Sequence, residues 1–127
     1  MLHKFLLLVC TFGLSLPAWA DDNSLFEMRT YTTNEGKLAS LQSRFRDHTM
    51  TLFDKHGIQN IAYWVPADLP NTLIYIVAHE SRDSAAANWK AFVDDPAWQK
   101  VYADSIADGA LVKKIDNVFM TKTDYSP

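Results

Sequence analysis

Four stretches of the chain carry strand signals. "LFEMRTYT" (Leu25 to Thr32) alternates apolar and polar residues and is rich in aromatic and β-branched types. "IQNIAYWV" (Ile58 to Val65) and "TLIYIVAH" (Thr72 to His79) predict two more strands, and the Pro-, Asp- and Asn-containing loop "PADLPN" makes them a long-looped hairpin. "KKIDNVFMTKT" (Lys113 to Thr123) predicts the last. Elsewhere the spacing is helical. After a turn around Asn34 and Gly36, residues Leu38, Leu41, Phe45, His48 and Leu52 draw one stripe along a helix that Gly57 ends as its cap. Ser81 can cap the next helix, on which Ala86, Trp89, Phe92 and Val93 share a face. Asp95 before Pro96 is a restart signal, since Asp caps free N–H groups and Pro suits the first helical position. The helix that follows turns Trp98, Val101, Tyr102 and Ile106 inward and stops near Gly109. The order β-α-β-β-α-α-β is an α+β, ferredoxin-like plan with an antiparallel sheet and a broken second helix.

His48 and His56 invite a metal reading, which helix geometry removes. Eight residues of helix rise about 12 Å, whereas two ligands of one ion must come within roughly 4 Å. His48 on the apolar stripe is expected to be a hydrogen-bonded core or interface residue. His56, beside Gly57, is expected to favour the negative helix end. No metal and no cofactor is implied by any motif.

The N-terminus changes the count of residues that must fold. "MLHK", the apolar run "FLLLVCTFGLSLP" and the small residues Ala18 and Ala20 before two aspartates form a secretory signal peptide, residues 1–20, with cleavage expected after Ala20. The run is shorter than the roughly 20 residues of a spanning helix, so no stable membrane anchor is expected after cleavage. Cys10 lies within it and follows Val9, where a lipoprotein site wants a small residue. The remaining residues, 21–127, fit one domain, expected in the periplasm or the medium. They hold 11 basic and 15 acidic residues without a basic cluster, a balance that argues against nucleic acid. They also hold no cysteine, so stability must come from a packed core or a second subunit.

Helices can cover only one face of a four-stranded sheet. Phe26 and Met28 alternate with Glu27, Arg29 and Tyr31, and the apolar pair is expected under the helices. In the third strand Leu73, Tyr75, Val77 and His79 alternate with Ile74, Ile76 and Ala78, so the uncovered face stays largely apolar and a second copy should cover it. That geometry nominates a cavity lined by Arg29, Tyr31, Tyr75 and His79, with Trp64 or Tyr63 according to register. Arg29 could hold a carboxylate or oxyanion, His79 could transfer a proton, and the aromatics could sandwich a planar ligand. Each also has a structural role open to it: Glu27 and Arg29 pairing across strands, the aromatics filling a barrel, His79 sitting at a solvated strand end.

"FEMRTYT", "GKL", "KHG" followed by "YW", "NTLIYIVAH", "DPAW" and "TDYSP" stand in an order and spacing that resembles the NIPSNAP family, from Phe26 to Pro127. The resemblance implies a dimeric α+β barrel, in which two ferredoxin-like sheets pack face to face and enclose a cavity. Proteins of that shape include binding proteins, cofactor-independent monooxygenases and haem-handling proteins. Val77 and His79 stand where relatives often have Trp and an aromatic residue, which implies a smaller, more polar cavity mouth. Two functions follow: an exported homodimer holding a small apolar or aromatic molecule in a cavity between its two subunits, or an enzyme such as a cofactor-independent monooxygenase or isomerase on a quinol-like substrate. An enzyme requires His79 or a carboxylate aimed into the cavity; a binder requires only shape and aromatic surface.

Overall fold

The computed structural model describes residues 20, 21 and 24–127. The expected signal peptide, Cys10 included, lies outside the described residues apart from Ala20. Four strands, β1 (Leu25–Thr33), β2 (Gln59–Trp64), β3 (Thr72–His79) and β4 (Val112–Met120), form an antiparallel sheet in the order β2-β3-β1-β4. This is the ferredoxin-like arrangement. In β1, Arg29 lies opposite Tyr75 on one side and Asn117 on the other, while Tyr31 lies between Leu73 and Ile115.

The first helical segment is not uniform. Helix α1 (Leu38–Arg44) runs into a π-helical turn (Phe45–Thr49) and continues as α2 (Met50–Lys55). The Met50 N–H reaches back five residues to the Phe45 carbonyl, and Thr49 Oγ1 donates to the Arg44 carbonyl at 3.1 Å. One wide turn advances the apolar stripe by a residue. The buried positions are therefore Leu41, Arg44, Phe45, Thr49 and Phe53, and His48 is exposed rather than in the core. Gly57, at φ +73°, caps the helix as expected.

Helix α3 (Arg82–Asp94) starts where Ser81 Oγ accepts from the Ser84 N–H at 3.1 Å. It buries Ala85 and Phe92, with Trp89 half-buried, while Ala86 and Val93 face solvent. Helix α4 (Pro96–Ser105) starts at Asp95, whose Oδ1 accepts from the Ala97 N–H at 2.9 Å. The other oxygen of Asp95 takes Lys55 Nζ and His56 Nε2, each at 2.7 Å. One carboxylate thus ties the end of α2 to the start of α4, and its Lys55 and His56 bonds hold it well below the usual carboxylate range. This pairing, rather than the helix end itself, occupies the His56 ring.

The helices cover the opposite face of the sheet from the one that the β1 pattern alone suggests. Glu27, Tyr31 and Thr33 are buried beneath them together with Leu73, Tyr75, Val77 and His79. Phe26, Met28, Ile74 and Ile76 lie on the open side, where Trp64 and Val118 are about half exposed. Two causes outweigh the apolar count of β1. Tyr31 packs edge-on against Phe45 and Tyr75, all three belonging to the aromatic core, and Glu27 brings enough donors with it to be buried at little cost.

Candidate functional site

Alternation along β1 sets Glu27, Arg29 and Tyr31 in a row on the covered face. Glu27 is 1 % exposed and accepts four hydrogen bonds. Its Oε1 takes His79 Nε2 at 2.9 Å and Trp89 Nε1 at 2.8 Å. Its Oε2 takes an Arg29 terminal nitrogen at 2.8 Å and Asn117 Nδ2 at 3.1 Å. Burial pushes this carboxyl up, but the bonds from His79, Trp89 and Arg29 outweigh it and lower it to about 2. Glu27 is held ionised and saturated.

Arg29 pairs with Glu27 along the same strand, not across strands, and its guanidinium lies 4.4 Å above the Trp89 ring and 5.7 Å from that of Tyr31. Burial lowers its affinity for the proton, but Tyr31, Tyr75 and Glu27 raise it further. Tyr75 OH donates to Tyr31 OH at 3.0 Å. Tyr63 stacks on Tyr75 with ring centroids 5.0 Å apart.

Beside this cluster lies a cavity of about 380 Å³ between α4 and the β4 edge. Tyr31, Arg44 and Leu111 form its buried inner wall; Trp98, Tyr102 and Ile115 add apolar surface, and Lys113 and Lys114 are exposed at its rim. Arg44 projects into the helix–sheet layer just before the π turn, a kind of irregularity frequent at functional sites. Its guanidinium lies 5.2 Å from the Trp98 ring and 5.6 Å from that of Tyr102. One terminal nitrogen donates to Ser105 Oγ at 3.1 Å, while Nε is buried without a partner.

The residues expected to line a site therefore separate. Arg29, Tyr31, Tyr75 and His79 share the covered face and lie inside one protomer, with Tyr63 as the strand-two member of the set. Trp64 does not join them: it pairs with Ile74 on the open face. A register shift between Asn60 and Ala62, at Ile61, decides which aromatic turns inward. His79, buried against Glu27, neither lines the cavity nor sits at a solvated end. Sequence reasoning passed over Arg44, although it stands three residues after Leu41 on the buried stripe, where an arginine is out of place. Trp89 and Asn117 carried no signal, because their partner Glu27 is remote in sequence.

Residues 26–127 match the family model described as NIPSNAP. The chain belongs to the NIPSNAP family. Among solved NIPSNAP structures it is similar to a family protein of unknown function from Agrobacterium tumefaciens, with 23% identity, 85% of this chain and 96% of that one covered, and a TM-score of 0.72. An uncharacterized NIPSNAP-like domain protein from Burkholderia xenovorans gives 17% identity over 84% and 91% of the two chains, also at a TM-score of 0.72. A candidate antibiotic biosynthesis monooxygenase from Nitrosomonas europaea gives 14% identity, 87% and 100% coverage and a TM-score of 0.59. Identities this low show a common fold. No curated protein matches the chain.

Proposed function

We propose that this NIPSNAP protein is an exported homodimer that binds a small apolar or aromatic molecule in the cavity between α4 and β4. The observation that supports this is the lining: Tyr31, Trp98, Tyr102, Leu111 and Ile115 offer ring faces and aliphatic surface around about 380 Å³. Pockets for small ligands run from roughly 300 to 1,000 Å³ and are mostly apolar with few polar groups. Proton transfer has less support. Glu27 and His79 face each other, fully buried, and among the described residues no carboxylate or imidazole lines this cavity. The open sheet face, with Phe26, Met28, Ile74, Ile76 and Val118, is the surface that a second copy would cover.

The test is native mass spectrometry of protein exported with its own leader. The expected species begins at Asp21 and carries one small aromatic molecule per chain. Protein that retains Met1 to Ala20 sinks the export reading. Protein without an adduct, whose melting temperature no aromatic ligand raises, sinks the binding reading.

A further inference from the structure

Arg44 is nearly enclosed, at 6% exposure, yet no carboxylate among the described residues pairs with it. Arginines are almost never buried in that way without a partner. Its intramolecular bonding is one hydroxyl, Ser105 Oγ, and two ring faces. Burial consequently pushes the guanidinium down from its ordinary range, whereas Arg29, beside Tyr31, Tyr75 and Glu27, is pushed up. Asp47 and Asp104 line a neighbouring groove with Arg44 without pairing with it, but on the cavity side the surroundings have the same sign. The cavity that Arg44 borders is also lined by Lys113 and Lys114 and, among the described residues, by no acidic one, in a chain whose formal net charge is −3. Lys114 lies 3.3 Å from Asp116, an exposed pair of little strength, and leaves most of the positive field in place.

We infer that Arg44 is the anchor for a carboxylate on a planar aromatic ligand, with the ligand ring held against Trp98, Tyr102 and Tyr31 inside the cavity. This deepens the binding function proposed above and rests on it. The guanidinium fork matches a carboxylate in two parallel hydrogen bonds, which a neutral amide cannot reproduce; inorganic phosphate can meet the fork but has no ring to fill the aromatic slot. Nε is buried without a partner, and together with a terminal nitrogen it forms an edge of the fork that a carboxylate would meet. Ser105 and the rings of Trp98 and Tyr102 hold the guanidinium in place at the cavity wall. Lys113 and Lys114 at the rim attract the anion as it approaches, a contribution that salt screens.

The experiment titrates the purified full-length mature protein with benzoate, 1-naphthoate and indole-3-carboxylate, with the carboxamide of each, and with inorganic phosphate, by calorimetry at neutral pH. At least one carboxylate is expected to bind about 10-fold or more tightly than its carboxamide, with phosphate weaker than both. Arg44→Gln should abolish that preference while leaving the carboxamide within about twofold, and Arg44→Lys should keep part of it. Because the wild-type preference needs no variant, the inference stays testable if Arg44→Gln fails to fold. The double change Lys113→Gln with Lys114→Gln, at exposed positions, should flatten the salt dependence of carboxylate binding and leave the fold intact. Carboxamides that bind as tightly as carboxylates overturn the anchor and leave the aromatic cavity standing. Phosphate that binds as tightly as the aromatic acids overturns it as well. If neither acids nor amides bind, both the anchor and the binding function fall.

Discussion

Replacing Glu27 by glutamine tests whether the buried polar cluster holds the sheet to the helices. The amide keeps the shape of the side chain but supplies one acceptor oxygen in place of two. Whichever way it turns, its NH₂ meets two donors: His79 and Trp89 on one side, or Arg29 and Asn117 on the other. Arg29, at 17% side-chain exposure, also loses its carboxylate. Removing one partner of a buried pair costs roughly 3 to 5 kcal/mol, and the partial exposure of Arg29 points to the lower end. The carboxyl gives a second measure. Its fall from 4.5 to about 2 corresponds to roughly 3 kcal/mol of stability linked to ionisation. Because the folded value is depressed, that contribution is complete above about pH 4.5 and is lost as pH falls toward about 2. Urea unfolding at one protein concentration should show Glu27→Gln less stable by about 3 kcal/mol at pH 7, and the gap to wild type should narrow by roughly half by pH 3. A loss below about 1 kcal/mol at pH 7, or a gap that does not change with pH, would refute the role assigned to the cluster.

Three further outcomes are expected. Gly57→Ala should cost about 1 to 2 kcal/mol in thermal melts, because φ is +73° and the added Cβ would stand 2.9 Å from Asn88 Nδ2; a neutral result contradicts the strain. His48→Ala should change stability by less than about 0.5 kcal/mol, whereas Phe45→Ala should lose roughly 3 to 5 kcal/mol, and equal losses would contradict the register set by the π turn. Light scattering should give twice the chain mass for wild type and one chain mass for Ile76→Glu with its circular dichroism kept; a wild-type monomer at micromolar concentration removes the dimer.

Element type and order were legible in the sequence because they depend on local signals. Gly57, Ser81 and the Asp95–Pro96 pair act within a turn or two of helix, and each does in the structure what its position implies. Sidedness was less legible, since it depends on partners far along the chain. Glu27 reads as a residue of the uncovered face, paired with Arg29, until Trp89 and Asn117, 62 and 90 residues away, are placed against it. Two single-residue irregularities did the rest. The π turn moves the helical stripe from His48 to Thr49, and the shift at Ile61 turns Tyr63 inward and Trp64 outward. A fixed period of 3.6 or 2 cannot register an inserted residue.

The two arginines of the helix–sheet layer show how the division between structure and binding arises. Arg44 is nearly enclosed and Arg29 partly buried, both lie near Tyr31, and both stack on indole rings. Arg29 stands two residues from Glu27 on the same strand face, so its charge is matched within the chain and it strengthens the core. Arg44 comes from a helix whose nearby acids, Asp47 and Asp104 across the adjoining groove, form no ion pair with it, and its guanidinium lies over Trp98 and Tyr102. A charge that the fold alone would need to match is left unmatched at the wall of a cavity. Selection for stability would remove such a residue, because an apolar side chain there avoids the desolvation of an unpaired cation. Its presence is best accounted for by a group that arrives from outside and completes the pair.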